Sequence, residues 1–447
     1  MPRCPGAFLH RALAARHTCR SYSAQAQAQA QAVPHRRPQP FPIEIDTQPP
    51  PQKQTDPYAL VAPELSQLRA SLLGLVGSAH PGLSDIARYY FLQPSQQMRS
   101  LLVLLFSHAT NGLGTHWAQK AWAAQREAQT GLSEELDRPL KLPDVLNNWH
   151  PSMPNNTASF ASVFELRPPG LYTPPPLPPS SAAPQSIPRL LPVQLRLAQI
   201  VEMIHIASVL HDDVHDGLPT PAAQEPEPEP EGFGNKLSIL AGDFLLGRAS
   251  AALSRLGESE VVELVAGVIS NLAEGEMLRG QGVQLGQTGP PHTLADAWDV
   301  YLRKTYLKTA SLMSKSARAA VVLGGCREGE VWKDVAYAYG RNLGIAYQLI
   351  EDTIEYENLA PGLVTGPVLF AGEQHPELQS LIQRNLAGDG DIERAVDFVS
   401  RSDGVERTRR LAQSYADAAR EVLQLLPDSD PKTALDALAE TAISRTW

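Results

Sequence analysis

Three carboxylates stand close together near the middle of the chain, in VEMIHIASVLHDDVHD at residues 201–216. Asp212, Asp213 and Asp216 occupy positions i, i+1 and i+4, which project from nearly the same side of an α-helix. Apolar residues fill the preceding turns, so we expect the three charges to lie at the end of a buried helix face. Such a cluster is stable where a hard divalent cation such as Mg²⁺ bridges the carboxylates and the oxygens of a bound phosphate.

A second acidic cluster with the same spacing lies in YQLIEDTIEY, at residues 347–356. Glu351, Asp352 and Glu355 stand on a helical pattern whose other positions are largely apolar. Two such clusters facing each other across a helical cavity would hold Mg²⁺ ions and a diphosphate between them. The alternative for either cluster is a solvated acidic helix face, which is the commoner origin of charge runs. The apolar flanks argue against that alternative for the first cluster, whereas the second pattern leaves both interpretations open.

Two further segments accompany the acidic clusters, GNKLSILAGDFLLGRAS at 234–250 and KTYLKTASLMSKSA at 304–317. In this order the motifs resemble those of the trans-type polyprenyl diphosphate synthases, above all the mitochondrial branch that makes the ubiquinone side chain in fungi. The resemblance extends from residue 58 to the C-terminus. It implies an isoprenoid synthase fold and Mg²⁺ as cofactor. The implied substrates are isopentenyl diphosphate and allylic diphosphates, which are condensed into a longer prenyl diphosphate.

The resemblance also implies roles for individual side chains. Six acidic residues match the metal-binding motifs: Asp212, Asp213, Asp216, Glu351, Asp352 and Glu355. Catalysis is implied for Asp212, Asp213 and Lys308. Contacts with the substrates are implied for Arg99, Lys308, Thr309 and Gln348. A solvated helix lysine is the alternative for Lys308, but Lys304 on the same helix face favours a cationic pair that serves a phosphate.

The chain departs from the family pattern where that pattern has cations. The family's Gly-Lys-x-x-Arg-Pro segment reads SQQMRS at 95–100, so only Arg99 remains, and the segment 217–232 has no basic residue. The lysine-bearing loop after the second acidic cluster is shortened at 358–366. Each charge-assisted phosphate contact contributes about 1.5–3 kcal/mol. The losses therefore support an alternative function, an inactive or weakly active partner subunit of a hetero-oligomeric polyprenyl diphosphate synthase.

A terpene cyclase with related aspartate chemistry is a third candidate, which the family-like Lys-Thr segment disfavours. The side chains before the first acidic cluster bear on product length. Ala207, Ser208 and Ile204 lie one to two turns before Asp212 and include no aromatic plug. Small side chains there predict a deep tunnel and a long polyprenyl product, although they would also permit close helix packing.

Long helices are needed to position these motifs, and the sequence predicts them. Helical periodicity dominates and strand-type alternation is scarce, which predicts an all-α fold, a single large helical bundle around a central cavity. This domain is predicted to span 58–447, with Pro-rich loop insertions near 166–192 and 217–232. The prediction includes one continuous helix at 294–323. Because members of this family pair through helices, we expect a homodimer or a hetero-oligomer with a paralogous subunit.

The N-terminal region differs in composition from the rest of the chain. Residues 1–43 contain no acidic side chain. Four arginines recur there among alanine and leucine: Arg3, Arg11, Arg16 and Arg20. This composition predicts a mitochondrial transit peptide, followed by a disordered linker to residue 57. A basic tail without targeting function is the alternative. The expected location is the mitochondrial matrix, either free or associated with the inner membrane.

Charge and hydropathy restrict the partners. The formal net charge of -10 and the absence of a basic patch argue against a nucleic acid. The longest uninterrupted apolar run, at 101–106, is too short to cross a bilayer, so we expect at most peripheral membrane contact. The three cysteines do not form a disulfide framework.

Overall fold

Helices make up the regular structure of the chain. The computed structural model describes residues 56–76, 89–91, 97–130, 189–215, 233–281, 293–357, 359 and 363–445, which all belong to one compact unit. No strand occurs within these ranges. The predicted all-α fold class is therefore confirmed.

The first helices in chain order are α1 (Pro57–Leu60), α2 (Ala62–Val76), α3 (Met98–Thr110), α4 (Trp117–Thr130), α5 (Pro192–His215), α6 (Phe233–Ser254) and α7 (Ser259–Gln281). They are followed by α8 (Leu294–Thr305), a π-helical turn (Tyr306–Ala310), α9 (Ser311–Leu323) and α10 (Val331–Ile354). The C-terminal helices are α11 (Gly366–Gln374), α12 (Pro376–Gln383), α13 (Asp391–Ser400), α14 (Gly404–Val422), a 3₁₀ turn (Leu423–Leu425) and α15 (Asp430–Ile443).

Two large apolar cores and a small cluster around Trp117 of α4 hold the described helices together, and α10 belongs to both large cores. Tyr339 and Leu343 of α10 lie in the larger core, with side chains from α2, α3, α5, α6, α7, α9 and α15. Ile345 and Leu349 lie in the smaller core, with side chains from α8 and α11–α14. Each fully buried aliphatic side chain of this size contributes about 1.5–3 kcal/mol. The larger core therefore holds the N-terminal half of α10, and the smaller core fixes its C-terminal half, where the second acidic cluster stands.

α10 passes the segment before α9 at very short range. A Cβ atom on Gly344 would lie 2.6 Å from Ala310 Cα, closer than real side chains approach. Glycine is therefore required at this crossing, because any side chain would push the two segments apart. The crossing places the second acidic cluster beside the π-helical turn that carries Lys308.

The continuous helix predicted at 294–323 is interrupted. α8 begins with a capping box formed by Thr293 and Asp296 and runs into the π-helical turn before α9 continues. A π turn contains one residue more than an α turn, so side chains on either side of it point in altered directions. The periodicity of apolar residues does not reveal this insertion.

The periodicity also fails to predict α4 and α11. The sequence of α4, WAQKAWAAQREAQT, is dominated by alanine and polar residues, and its apolar stripe is limited to Trp117, Ala121 and Ala124. α11 begins with Gly366 and Pro367, a pair that favours a turn in a sequence reading. In the fold the proline occupies the first turn of the helix, where its missing N–H is not needed.

Some predictions concern residues outside the described ranges. They include residues 1–55 of the N-terminal segment, the Pro-rich insertion up to residue 188, the insertion at 217–232, and Asp216. The domain boundaries and the transit peptide therefore stay predictions.

Within the part of the chain that the structure describes, two helices are long and apolar enough to cross a bilayer, although the sequence has no long uninterrupted apolar run. In α5, 72% of the most apolar 18-residue window within Pro192–Val214 is buried inside the fold. In α6, only 39% of the corresponding window within Asn235–Ser254 is buried. α5 is thus a core helix, whereas α6 presents apolar side chains at the surface, including Ile239 and Leu240.

Candidate active site

A cavity of ≈ 320 Å³ lies where α5, α8 and α10 end. Asp212 from α5 lines it, as do Asp352 and Glu355 at the end of α10. Lys304 and Lys308 supply ammonium groups to the same cavity. The structure therefore brings members of both acidic clusters, which are far apart in the sequence, into one cavity with two lysines.

The π-helical turn positions Lys308. Its Nζ donates to Asp212 Oδ1 at 3.0 Å and also contacts the carboxylate of Glu276 on α7. The stem of Lys308 passes close to Gly275, where an added Cβ would lie 2.7 Å from Lys308 Cγ. The ammonium is thus held between two carboxylates at the edge of the cavity, where it can also reach an anion.

A hydrogen-bond network fixes Asp352. Tyr301 Oη donates to Asp352 Oδ2 at 2.7 Å, and the Gly366 backbone N–H donates to the same oxygen at 3.2 Å. Gln348 Nε2 donates to Asp352 Oδ1 at 3.0 Å, and Thr309 Oγ1 donates to Gln348 Oε1 at 2.8 Å. Thr309 and Gln348, predicted to bind substrate, therefore also connect the π turn with the second acidic cluster.

Burial makes the negative charges of this cavity costly. Burial raises the pKa of Asp212 above its ordinary value, against the opposing effect of the Lys308 ammonium. Burial also raises the pKa of Glu355, and the charges of Glu351 and Asp352 raise it further. A bound cation would offset these costs.

The donor set suits Mg²⁺. Asp212, Asp352 and Glu355 present carboxylate oxygens, the ligands that this hard cation prefers. No three acidic, histidine or cysteine side chains in the described ranges converge tightly enough to coordinate an ion by themselves. Phosphate oxygens or water would therefore have to complete the coordination shell, which is usual for Mg²⁺.

Two of the predicted metal ligands do not line this cavity and have other partners. Asp213 Oδ2 accepts a hydrogen bond from Tyr90 Oη at 2.5 Å. Glu351 Oε1 accepts from Arg445 Nη1 at 2.5 Å, near the end of the described chain, and Arg445 also stacks over the ring of Tyr347. The metal-binding roles of Asp213 and Glu351 stay predictions, as does that of Asp216, which is outside the described ranges.

Arg99 lines the same cavity as Asp212, and a histidine orients it. Arg99 Nη1 donates to His205 Nε2 at 3.0 Å, so His205 accepts at that nitrogen and carries its proton on Nδ1. Burial, together with the nearby Arg99 charge, lowers the pKa of His205 well below its ordinary value. His205 is therefore neutral near pH 7 and can accept from a guanidinium without repulsion.

Below Arg99, a serine stands where the family pattern has proline. Ser100 Oγ donates to Glu202 Oε2 at 2.9 Å, and its second contact is the Ala198 carbonyl oxygen at 3.0 Å. Burial raises the pKa of Glu202, while the Ser100 hydrogen bond and the Arg99 charge lower it. Ser100 and Glu202 thereby join α3 to α5 beneath the guanidinium.

A second cavity of ≈ 530 Å³ adjoins the first and is mainly apolar. Ser208, Asp212 and Lys308 belong to both cavities. The remaining lining residues come chiefly from α6 and α7: Leu246, Ile269, Leu272, Ala273 and Met277. Of the side chains before the first acidic cluster, Ser208 lines both cavities one helical turn before Asp212, whereas Ala207 and Ile204 are fully buried in the larger core. The deep tunnel and the long product stay predictions.

Sequence reasoning missed several residues of this site, among them His205, Tyr301 and Glu276. His205 lies seven residues before Asp212, two turns along the same helix face, so the periodicity could have indicated it. Tyr301 lies three residues before Lys304 and could have been found in the same way. Glu276 has no comparable signal, because it is one of several acids on α7 and meets Lys308 only through the tertiary packing.

Comparisons with known proteins agree with this geometry. The polyprenyl synthetase family matches residues 186–398. A Yarrowia lipolytica protein named probable hexaprenyl pyrophosphate synthase, mitochondrial, is 40% identical over 411 residues, which cover 88% of this chain and 85% of the relative. The Saccharomyces cerevisiae protein named hexaprenyl pyrophosphate synthase, mitochondrial, is 34% identical over 453 residues, covering 87% of this chain and 90% of the relative.

A solved structure shows the same fold. The polyprenyl synthase from Caulobacter crescentus, complexed with calcium and isoprenyl diphosphate, superposes with a TM-score of 0.59 at 22% sequence identity. The match covers 89% of this chain and 100% of that chain. The chain belongs to the polyprenyl synthetase family, and the resemblance and isoprenoid synthase fold predicted from the motifs are confirmed.

Proposed function

We propose that this protein is a mitochondrial long-chain trans-polyprenyl diphosphate synthase, which condenses isopentenyl diphosphate with allylic diphosphates to make the ubiquinone side chain. The observation that carries this proposal is the shared cavity, because Asp212 and Asp352 line it together with Lys308. An apolar cavity adjoins these charges. Ionisation of an allylic diphosphate requires this combination, a polar site for the leaving group beside a dry space for the hydrocarbon.

The side chains of the charged cavity would bind and orient the diphosphates. Mg²⁺, when held by Asp212, Asp352 and Glu355, would neutralise negative charge on the leaving group. Lys304 and Lys308 would donate charge-assisted hydrogen bonds to the allylic diphosphate. The carbon–oxygen bond of that substrate then breaks, the double bond of isopentenyl diphosphate attacks the allylic cation, and a proton is lost from the new product.

Arg99 and the apolar cavity complete this arrangement. One guanidinium nitrogen of Arg99 is used by His205, which leaves other N–H groups to face a diphosphate in the cavity. Leu272 and Ile269 line a mainly apolar space, which would shield an allylic cation from hydrolysis once a prenyl substrate fills it. The same space would receive the growing prenyl chain.

The partner-subunit alternative rests on the missing cations of the family pattern. Three cations nevertheless line the charged cavity: Arg99, Lys304 and Lys308. The two fungal relatives, which match most of this chain, are both named as synthases. These observations favour an enzyme over an inactive subunit.

An assay of the full-length chain tests the proposal. The wild-type protein, with labelled isopentenyl diphosphate, farnesyl diphosphate and Mg²⁺, should form long prenyl diphosphates. We expect Asp212→Asn and Asp352→Asn each to reduce kcat/KM by about 10²-fold or more, because each removes a carboxylate charge that the leaving group depends on. Asp299→Asn, an exposed carboxylate on α8 outside the cavity, is the matched control. Activity that appears only after a paralogous subunit is added would contradict the proposal.

We also propose that two copies of the chain associate through α6. Ile239 and Leu240 are 44% and 50% exposed on this helix, and most of its apolar stretch is not buried within one chain. A second copy would remove this apolar surface from water. Light scattering should then give twice the 48.5 kDa chain mass. Leu240→Glu should reduce it to one chain, whereas Leu425→Glu, an exposed leucine elsewhere, should not. A wild-type protein that scatters as a single chain would exclude the dimer.

A further inference from the structure

One wall of the charged cavity carries no cationic side chain within the described residues. The chain that follows α10 contributes Leu359, Leu363 and Thr365 to this wall. Arg99 and Lys304 reach the cavity from other helices. The family pattern has its lysine-bearing loop in this part of the sequence, and that loop is shortened here. Thr365 is therefore the polar side chain that the wall offers to an anion.

The hydroxyl of Thr365 is buried and makes no hydrogen bond within the described residues. Thr365 is the N-cap residue of α11, but its side chain makes no capping hydrogen bond with the helix. The residue is only 5% exposed, and Oγ1 has no hydrogen-bond partner among the described residues. A buried hydroxyl in this state carries a desolvation penalty that a hydrogen bond to a ligand would offset. N-cap threonines usually avoid the penalty by accepting from a helix N–H.

The helix that begins here also favours an anion. α11 starts beside the cavity, and the Gly366 N–H already donates to Asp352 Oδ2 at 3.2 Å. The N-terminal end of a helix carries partial positive charge, which attracts phosphate groups. The dipole of α11 and the Thr365 hydroxyl therefore both favour a phosphate group on this side of the cavity.

We propose that Thr365 Oγ1 donates a hydrogen bond to an oxygen of the substrate diphosphate. An uncharged hydroxyl would thus bind the diphosphate on the wall of the cavity where the family pattern has a lysine. This inference rests on the proposed function, because it concerns the diphosphate bound in that same cavity.

Two substitutions separate this contact from a structural role. Thr365→Val keeps the branched shape and removes the hydroxyl, whereas Thr365→Ser keeps the hydroxyl. Calorimetric titration of the full-length protein with inorganic pyrophosphate and Mg²⁺ should show about tenfold weaker binding for Thr365→Val, and Thr365→Ser should restore it. The KM for one of the two diphosphate substrates should rise by a similar factor, with kcat nearly unchanged.

The stability of the free protein supplies an independent readout. Thr365→Val should unfold at the wild-type temperature or above, because valine removes a buried hydroxyl without a partner. Thr110→Val is the matched control. Thr110 is a buried threonine in α3 whose hydroxyl donates to the Phe106 carbonyl oxygen. Because this hydroxyl bonds within its own helix, removing it should leave pyrophosphate binding unchanged.

Two results would overturn the inference. One is wild-type pyrophosphate affinity in Thr365→Val. The other is a loss of binding that accompanies a lower unfolding temperature and is not restored by serine, which would indicate a packing role. A wild-type protein that forms no prenyl product would instead refute the proposed function, so the two failures are distinguishable.

Discussion

Replacing Gly275 with alanine tests whether the position of Lys308 determines activity. Gly275 lies where α7 passes the π-helical turn, and a Cβ there would lie 2.7 Å from Lys308 Cγ and 3.1 Å from Leu307 Cβ. Lys308 Cγ must move by about 0.7 Å to reach an ordinary 3.4 Å contact. The backbone N of Lys308, at 3.3 Å from the added atom, limits the alternatives. We therefore expect the ammonium to shift away from Asp212.

The Gly275→Ala substitution changes the unfolding free energy in two opposing ways, through helix propensity and through overpacking. Alanine stabilises a helix by about 0.8–1.0 kcal/mol relative to glycine, whereas overpacking costs about 1–3 kcal/mol. The expected net loss of unfolding free energy is therefore about 0–2 kcal/mol. Weakening one charge-assisted diphosphate contact costs about 1.5–3 kcal/mol, which lowers kcat/KM by about 10- to 150-fold. Activity should thus fall much more than stability.

The measurement combines steady-state kinetics with urea denaturation. Gly267→Ala on the same helix is the matched control, because its added Cβ meets only the flexible end of Lys315, with Nζ at 2.8 Å. The control should keep wild-type kcat/KM and lose no stability. If Gly275→Ala behaves like Gly267→Ala in both assays, the position of Lys308 does not determine activity and the reasoning is wrong.

Three further predictions follow from other parts of the structure. Ser208→Phe should shorten the prenyl product seen by reversed-phase chromatography, because the ring would fill part of the ≈ 530 Å³ apolar cavity; unchanged product length would show that the chain grows elsewhere. Arg445→Gln should lower the unfolding free energy by about 0.2–1 kcal/mol through the lost ion pair with Glu351. Urea denaturation should show that difference shrinking in high salt, and a salt-independent difference would argue against an ionic origin. The hydrogen bond from Arg384 holds the pKa of Asp391 at about 2, below its ordinary 3.8. This pair therefore stabilises the fold above about pH 4 and ceases to do so as the pH falls towards 2. Asp391→Asn should be less stable than wild type at pH 7, with a difference that shrinks below pH 4; a constant difference in denaturation measurements would contradict the ion-pair explanation.

The acidic clusters show how far a spacing pattern predicts a site. The i, i+1, i+4 spacing identifies which carboxylates share a helix face, and Asp212 and Asp352 do line one cavity. It does not indicate which neighbours compete for each carboxylate. Asp213 meets Tyr90 and Glu351 meets Arg445, two contacts that join segments far apart in sequence.

The sequence by itself determined the helical fold class, the two acidic clusters and the identity of the family, because periodicity and motif spacing are local properties of the chain. It also identified Arg99, Lys308, Thr309 and Gln348 as candidates, and the structure places all four on the charged cavity. Only the tertiary structure decided that a π turn directs Lys308 between Asp212 and Glu276, that His205 orients Arg99, and that the Thr365 hydroxyl has no partner among the described residues. These features depend on which helices cross and at what distance, and crossings are set by the packing of whole helices rather than by any short segment.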